Sequence, residues 1–304
     1  MSGLVGRVLC SMSGEAQRSS DIASNGDAQF DPWPEAVQVH VEWGVPAALL
    51  AARRGDLVVV VDVLSFSTSV IEVVERDGTA VCYSPEELDR AGGRDRAARD
   101  HDAIVLSKQR SVSVGEVSLS PASLQSLPLG RRVVMTSLNG GRCVAAAADA
   151  PWVGIGALTN RTAVAHRVEW LLADAVATRC TIVPCAELWS GPFMASQVGD
   201  LSEVSAPLVR PAYEDLLGAG SIVAAMGEHV QRSVEASMAA TVFESHESRI
   251  SEFLEGCVSG RELIERGFAA DVTIAAQLDA RAVVPERSMG DPAKRFVAGP
   301  SHSS

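Results

Sequence analysis

The most constraining feature of this chain is the stretch at residues 57–70, LVVVVDVLSFSTSV. An apolar run from Leu57 to Val61 with no polar break predicts a β-strand that is buried on both faces of a sheet. The bend that follows is surrounded by hydroxyl residues, namely Ser65, Ser67, Thr68 and Ser69. Helical spacing of apolar residues then resumes, so the stretch predicts a strand, a tight loop and a helix.

Asp62 stands at the carboxyl end of this predicted strand, shortly before the helix. Open α/β sheets bind their ligands at this edge. The first turn of the helix would offer free N–H groups and positive potential to an anion, and the Asp62 carboxylate could hold a divalent cation beside it. This pairing suggests phosphate chemistry. The alternative is that Asp62 only caps the helix, and the stretch alone does not decide between the two.

Other segments of the chain repeat the alternation of strand and helix. Strands are predicted at residues 37–43, 79–83, 103–106, 132–136, 152–156, 180–185 and 282–284, and helices fill most of the intervals. Short links between alternating elements predict a parallel, right-handed α/β arrangement. With 304 residues, the chain can form one large α/β domain or two smaller ones.

The predicted strand at 132–136 ends in a similar turn, because the residues SLNGGR follow it at 137–142. Small residues and glycine at the start of a helix expose backbone N–H groups to a phosphate. Asn139 and Gly140 therefore join the candidate anion site, since two such turns at one edge of a sheet would face the same pocket. In the long loop before this strand, Lys108 and Arg110 are candidate anion contacts, although solvated surface cations are the more common explanation.

Two adjacent acids, Glu214 and Asp215, enter a later predicted helix. Acids in a first helical turn can simply complement the helix dipole. They can equally supply the carboxylates that a magnesium site would need beside Asp62. Further along, Ser259 and Glu262 have the spacing of a capping box, with Ser259 as the predicted N-cap.

The net charge of −12 argues against a nucleic-acid or anionic-membrane surface, because both need clustered Lys and Arg. An anionic substrate must therefore meet a local positive site or a metal. No run of about 18 uncharged apolar residues predicts a membrane span. The six cysteines lack C-x-x-C spacing and fit reduced core thiols of a cytoplasmic protein, with Cys185 as the one candidate nucleophile. The absence of G-x-G-x-x-G after any predicted strand and of G-x-S-x-G disfavours a Rossmann oxidoreductase and a serine hydrolase.

Eight ordered sequence blocks resemble the 2-phosphosulfolactate phosphatase family, whose members are magnesium-dependent phosphatases. The similarity extends from about Val37 to Val284 and includes VVVVDVLSFSTSV, VSLSPAS, VVMTSLNGGRC, IGALTNRTAVA, VPCA, RPAYEDLLGAG, SGRELIERGFAADVTIAAQLD and AVVP. The resemblance implies an α/β fold with mostly parallel sheets flanked by helices and two closely packed lobes, which we place at residues 37–150 and 151–286. Residues 1–36 and 287–304 are then predicted to be flexible tails. A homo-oligomer is expected only by analogy.

Residue by residue, the resemblance assigns Asp62 to the strand-end acid of the family and Asn139-Gly140 to its second turn. Glu214-Asp215 match the paired acids of the family. Arg210 matches the arginine before these acids, and Arg261 matches the arginine of a late block. These assignments imply a magnesium site in a cleft and a phosphate monoester as substrate.

Three positions depart from the family pattern. Ser65 stands where many members have an arginine, Ser259 where they have a histidine, and Glu187 where they have a glycine. An arginine at the first position would suit a phosphate or a sulfonate. The three departures therefore weaken the expectation that 2-phosphosulfolactate is the substrate more than they weaken the expectation of the family's fold.

The first functional hypothesis is magnesium-dependent hydrolysis of a small anionic phosphoester, either 2-phosphosulfolactate or a related phospho-acid. Magnesium would be held by Asp62, Glu214 and Asp215, which are also the candidate catalytic residues. The candidate substrate-binding residues are Ser65, Ser67, Thr68, Asn139, Gly140, Arg210 and Arg261. The attacking group is open: it is either a water activated by one acid or Asp62 itself, forming an aspartyl phosphate. The second hypothesis is a catalytically impaired family member that binds a small anion or phosphoester.

Overall fold

The apolar run that begins at Leu57 forms a strand in which every side chain from Leu57 to Val61 is buried. The computed structural model describes residues 36–106, 117–188, 209–288 and 294–300. Residues 1–35 of the predicted N-terminal tail and the candidate contacts Lys108 and Arg110 lie outside the described residues.

The regular elements of the described residues alternate as the sequence predicts. The strands are β1 (Val39–Val41), β2 (Leu57–Val61), β3 (Thr79–Tyr83), β4 (Ile104–Val105), β5 (Arg132–Thr136), β6 (Trp152–Gly156), β7 (Cys180–Pro184), β8 (Glu187–Leu188), β9 (Val209–Arg210), β10 (Pro285–Ser288) and β11 (Arg295–Ala298). The helices are α1 (Gly44–Arg54), α2 (Phe66–Glu75), α3 (Pro85–Arg90), α4 (Arg94–Asp100), α5 (Pro121–Leu124), α6 (Gly140–Ala146), α7 (Arg161–Ala173), α8 (Tyr213–Ala225), α9 (Val234–His246), α10 (Ile250–Gly256), α11 (Val258–Glu265) and α12 (Ala269–Ala275). In this part of the chain, no helix is both long enough and apolar enough to cross a membrane.

Nine of these strands form one hydrogen-bonded sheet in the order β1-β7-β2-β6-β10-β11-β3-β5-β4. β2 pairs in parallel with β6 and β7, and β1 pairs in parallel with β7. β5 pairs in parallel with β3 and β4. The predicted α/β fold with a mostly parallel sheet and flanking helices is confirmed. The division at residue 150 does not follow the strand pairing, because β1 and β2 precede that residue while their partners β6 and β7 follow it.

A hairpin near the carboxyl terminus joins the two groups of parallel strands. β10 pairs antiparallel with β6 and with β11, and β11 pairs antiparallel with β3. Phe296 of β11 is fully buried, and Glu286 of β10 accepts hydrogen bonds from Trp152 Nε1 and Arg167 Nε, each at 2.8 Å. Residues 287–288 and 295–298, which the sequence assigns to a tail, thus belong to strands of the sheet. The strand predicted at 282–284 lies instead at 285–288, where partners elsewhere in the fold satisfy its charged side chains.

Side chains of β2 alternate between two hydrophobic clusters. Leu57, Val59 and Val61 pack with residues of α7, α8 and α9. Val58 and Val60 pack on the other face with residues of α1, α2 and α6. Because helices cover both faces of β2, the residue that follows it, Asp62, enters the interior of the protein rather than solvent.

Helix ends differ from the sequence pattern in two places. The interval between β3 and β4, which is predicted to be helical, contains two helices, α3 and α4, and they are divided by Gly92 and Gly93, which both adopt positive φ angles, 83° and 88°. The N-cap of α11 is Cys257 rather than Ser259, because the helix begins at residue 258 and the Cys257 sulfur accepts the N–H of Gly260 at 3.2 Å.

Candidate active site

The loop between β2 and α2 is held by its own hydroxyl groups. Ser67 Oγ accepts the N–H of Asp62 at 2.9 Å and donates to the carbonyl oxygen of Val60 at 3.2 Å. Thr68 Oγ1 donates to another carbonyl oxygen of the loop at 2.8 Å. Ser67 and Thr68 are fully buried, and Ser65, the N-cap of α2, is 5 % exposed. The hydroxyl groups of Ser67 and Thr68 thus stabilise the loop through its own hydrogen bonds.

Asp62 accepts hydrogen bonds from both of the predicted turns. Its Oδ1 accepts the N–H of Phe66, the first residue of α2, at 3.2 Å. Its Oδ2 accepts the N–H of Gly140, the first residue of α6, at 3.0 Å and the hydroxyl of Ser137 at 3.3 Å. Asp62 therefore bonds to the start of α2 and also lies where the two turns meet. The two turns therefore meet at this one carboxylate.

Helix α8 brings two further carboxylates to Asp62. Glu214 and Asp215 lie in its first turn and are only 2 % and 3 % exposed. Asp215 Oδ1 accepts the N–H of Val63 at 2.8 Å, which ties α8 to the residues after β2. Glu214 Oε2 is buried and has no hydrogen-bond partner among the described residues. Buried acids of this kind do more than complement a helix dipole, since they lose hydration that exposed acids keep.

A fourth carboxylate, that of Glu187, reaches the same place from β8. Its Oε2 accepts a hydrogen bond from Asn139 Nδ2 at 2.9 Å. Burial, and next the negative charge of Asp62, raise the pKa of Glu187 to about 7, while the hydrogen bond from Asn139 acts in the opposite direction. Glu187 is absent from the predicted site residues, although an acid just past the end of β7, at the edge that carries Asp62, was an available signal. Ser137 is also missing from the predicted site residues, although its hydroxyl group directly after β5 could have indicated it.

We call Asp62, Glu187, Glu214 and Asp215 the acid cluster. Burial is the largest cause of the raised pKa values of Asp62 and Asp215. The charges of Asp62 and Glu214 raise the pKa of Asp215 further, and the N–H of Val63 partly offsets this. Ionising these neighbouring carboxylates together is therefore unfavourable, and a proton or a cation would relieve the repulsion.

The acid cluster has the chemistry of a magnesium site. Carboxylate oxygens are the ligands that Mg²⁺ prefers, and Glu214 Oε2 is a buried oxygen without a partner in the described part of the chain. Across residues 36–106, 117–188, 209–288 and 294–300, no three His, Cys, Asp or Glu side chains are already arranged to hold a metal ion. The donor type and charge of Asp62, Glu214 and Asp215 would nevertheless suit a cation.

The two predicted arginines lie in different surroundings. Arg210, in β9, stands opposite Glu187 in β8 and donates from Nη2 to Ser259 Oγ at 3.0 Å. Its charge lowers the pKa of Glu187, which shows that it lies within electrostatic reach of the acid cluster. Arg261 is exposed on α11 and donates from Nη1 to the carbonyl oxygen of Gly256 at 2.6 Å. No contact within the described residues brings Arg261 to the cluster, so its predicted role in substrate binding is not supported.

A cavity of about 530 Å³ lies between α8, α9 and α10. Glu214 forms part of its wall, and apolar side chains, among them Leu217 and Phe253, form much of the rest. The cavity provides room for the organic part of a small ligand next to one member of the acid cluster.

Cys185, the candidate nucleophile, follows β7 and is buried. Burial, together with the neighbouring thiol of Cys143 and the charges of Asp62 and Asp215, raises the pKa of Cys185 well above its usual value. Since the thiolate is the reactive form of cysteine, these surroundings argue against nucleophilic catalysis by Cys185.

Comparison with known proteins agrees with the sequence blocks. Residues 45–290 match the family model described as 2-phosphosulpholactate phosphatase. A protein of Gloeobacter violaceus named "Probable 2-phosphosulfolactate phosphatase" is 26 % identical over 238 residues, which cover 77 % of this chain and 89 % of that protein. A protein of the same name from Thermus thermophilus is 28 % identical over 198 residues, which cover 60 % of this chain and 81 % of that protein. Because the family model spans most of its length, the chain belongs to the 2-phosphosulpholactate phosphatase family.

Proposed function

We propose that the protein hydrolyses a small organic phosphate monoester to a hydroxy compound and inorganic phosphate, with magnesium as its cofactor. The substrate in the names of its two relatives, 2-phosphosulfolactate, is the first to test, followed by related phospho-acids. The observation that carries the proposal is the acid cluster, in which Asp62, Glu214 and Asp215 are buried and which lies where the loop after β2 and the turn after β5 meet. In a chain of this phosphatase family, that arrangement supports metal-assisted phosphoryl chemistry.

Asp62, Glu214 and Asp215 would hold the magnesium ion. When bound, the ion would neutralise charge that develops on the phosphoryl group during reaction. The protein holds Asp62 in one orientation through the N–H groups of Phe66 and Gly140, and it excludes water from the carboxylates by burial. The raised pKa values of Asp62 and Asp215 support the proposal, because these groups are short of positive charge.

We assign the attack to a water molecule rather than to Asp62. Both Asp62 oxygens already accept hydrogen bonds, which supports a holding role for this carboxylate. The water oxygen forms the new P–O bond, the ester P–O bond breaks, and the organic oxygen leaves and takes up a proton. The proton lost by the attacking water ends on the departing organic oxygen, so that atoms and charge balance.

Arg210 is the residue we assign to the phosphate, because it lies beside the acid cluster and its guanidinium can bond two phosphate oxygens at once. Its present bond to Ser259 keeps the guanidinium on this side of α11. The organic part of the substrate would occupy the neighbouring cavity, whose wall includes Glu214. We leave Arg261 out of the site, since it is exposed and bonds to Gly256.

The test is phosphate release from a panel of phosphomonoesters, 2-phosphosulfolactate and phospholactate included, with and without magnesium. Asp62→Asn should lower magnesium-dependent release by about a hundredfold or more, since it removes a charged group at the reacting centre. Asp149→Asn, at an exposed position, is the matched control and should behave as wild type. Full turnover by Asp62→Asn would contradict the proposal. A folded protein that binds a phosphoester without consuming any of the panel would favour the binding-protein hypothesis.

A further inference from the structure

The side chain of Asn139 is directed away from the helix that it begins. Asn139 is the N-cap of α6, a position where asparagine usually accepts an N–H of the first helical turn. Its side chain makes no capping hydrogen bond here. The amide instead donates to Glu187 Oε2 at 2.9 Å, across 48 positions of sequence. A capping hydrogen bond normally stabilises the start of a helix, so the contact with Glu187 takes the place of a favourable local bond.

Hydrogen bonds from the backbone N–H groups of Asn139 and Gly140 lead to the carboxylate of Asp62. The N–H of Asn139 donates to Ser137 Oγ at 3.3 Å, and that hydroxyl donates to Asp62 Oδ2 at 3.3 Å. The next N–H, that of Gly140, donates to the same Asp62 oxygen at 3.0 Å. A bond that holds the Asn139 side chain therefore also holds the two donors that orient Asp62.

The surroundings of Glu187 make an ionised carboxylate at this position energetically unfavourable. It lies next to Asp62 and Glu214, whose negative charges disfavour its ionised form. It is placed by the short β8–β9 pairing, in which it stands opposite Arg210. A carboxylate kept in such surroundings, with an Asn139 amide as its bonded partner, is consistent with a role as hydrogen-bond acceptor.

We propose that Glu187 is a positioning residue, whose hydrogen bond to Asn139 holds the start of α6 so that the N–H of Gly140 and the hydroxyl of Ser137 meet Asp62. The effect of Glu187 on catalysis rests on the proposed phosphatase function, but its effect on the position of α6 does not. The role requires an acceptor oxygen and no charge. A glutamine side chain at this position would supply that acceptor, so the two variants Glu187→Gln and Glu187→Ala separate position from charge.

The first measurement is hydrogen exchange of the Gly140 amide in the metal-free, full-length protein. Glu187→Ala and Asn139→Ala should each speed this exchange by about tenfold or more, because each removes the hydrogen bond between Asn139 and Glu187. The double variant should exchange no faster than either single variant, since both remove the same bond. Glu187→Gln should stay near wild type. Glu265→Ala, at an exposed glutamate of α11, is the control and should change nothing.

The second measurement is turnover with magnesium. Glu187→Ala should lower kcat with little change in KM, and Glu187→Gln should restore most of it, because positioning acts on Asp62 rather than on substrate affinity. Unchanged Gly140 exchange in Glu187→Ala would overturn the proposal, and so would a Glu187→Gln variant as impaired as Glu187→Ala. If the wild type releases no phosphate from any substrate, the proposed function fails while the exchange data still decide the role of Glu187.

Discussion

Replacing Gly140 with alanine should destabilise the protein and disturb Asp62, because α6 begins in direct contact with that carboxylate. A Cβ atom added to Gly140 would lie 2.2 Å from Cδ1 and 2.7 Å from Cγ of Phe66, and 2.9 Å from Oδ2 of Asp62. Nonbonded carbon atoms stay about 3.5–4.0 Å apart, so the Phe66 ring or the start of α6 must move by about 1 Å. Phe66 is 1 % exposed and belongs to the hydrophobic cluster under β2, which leaves its ring little room.

The expected loss of stability follows from two contributions. Overpacking of this kind costs about 1–3 kcal/mol. If α6 retreats, the 3.0 Å hydrogen bond from Gly140 to Asp62 is lost as well, and a bond to a charged group contributes about 1.5–3 kcal/mol. The higher helix propensity of alanine offsets at most about 1 kcal/mol. We therefore expect the free energy of unfolding to fall by about 2–4 kcal/mol.

Urea unfolding of the metal-free protein measures this loss, and two controls locate its cause. Gly141→Ala would place a Cβ 2.5 Å from the carbonyl oxygen of Tyr83, so it also crowds its neighbours but does so away from Asp62. It should destabilise the protein without altering the magnesium dependence of turnover. Phe66→Ala alone should cost about 3–5 kcal/mol, and combined with Gly140→Ala the total should be smaller than the sum, because the new methyl enters the space of the ring. Additive costs, or a Gly140→Ala protein as stable as wild type, would refute the reasoning.

Three further predictions concern charge. In the metal-free protein the pKa of Glu187 rises from its usual 4.5 to about 7, so its contribution to stability is full below pH 4.5 and is lost as pH rises to about 7. Urea titrations in EDTA should show a flatter dependence over this interval for Glu187→Gln, and an unchanged slope would contradict the assignment. Magnesium at about 100 times its Kd should stabilise the protein by about 2.7 kcal/mol. Thermal unfolding should show that Asp215→Asn loses most of this stabilisation. If magnesium raises the unfolding temperature of Asp215→Asn as much as that of the wild type, Asp215 is excluded as a ligand. Arg281 Nη2 lies 2.9 Å from Oε1 of the buried Glu72, so Arg281→Met should cost about 3–5 kcal/mol in urea unfolding. The double variant Arg281→Met with Glu72→Leu should regain the lost stability. If Arg281→Met alone costs no more than the loss of an exposed ion pair, the pair is not effectively buried.

Local patterns predict much of the framework that carries the site. The bounds of β3, β5 and β6 agree with the predicted strands, because each is a short run made up mainly of apolar residues. The meeting of Asp62 with Gly140 follows from a general rule, since strand–helix turns at a sheet edge collect around one place. Where a pattern contains a breaker, the prediction is less exact: Gly92 and Gly93 divide a helix that its polar residues favour throughout.

The site itself is only partly visible in these patterns. Glu187 and Ser137 belong to it and were not predicted, because single polar residues after a strand are common and only the packing shows which of them face Asp62. Arg261 has the residue type for phosphate binding, yet it lies on the exposed face of α11. Ser67 carries a hydroxyl at the right place in sequence, but the tight loop uses that group for its own hydrogen bonds.

The sequence by itself determined the α/β class, the burial of β2 and the position of Asp62 at its end, because an unbroken apolar run can be satisfied only inside a covered sheet. Tertiary structure alone decided that β10 and β11 lie in the middle of that sheet. Their residues show little apolar alternation, and the charged Glu286 is accommodated only because Trp152 and Arg167 bond to it. Tertiary structure also decided that four carboxylates lie together, since residues 62, 187, 214 and 215 meet through packing of distant segments, which local sequence preferences do not encode.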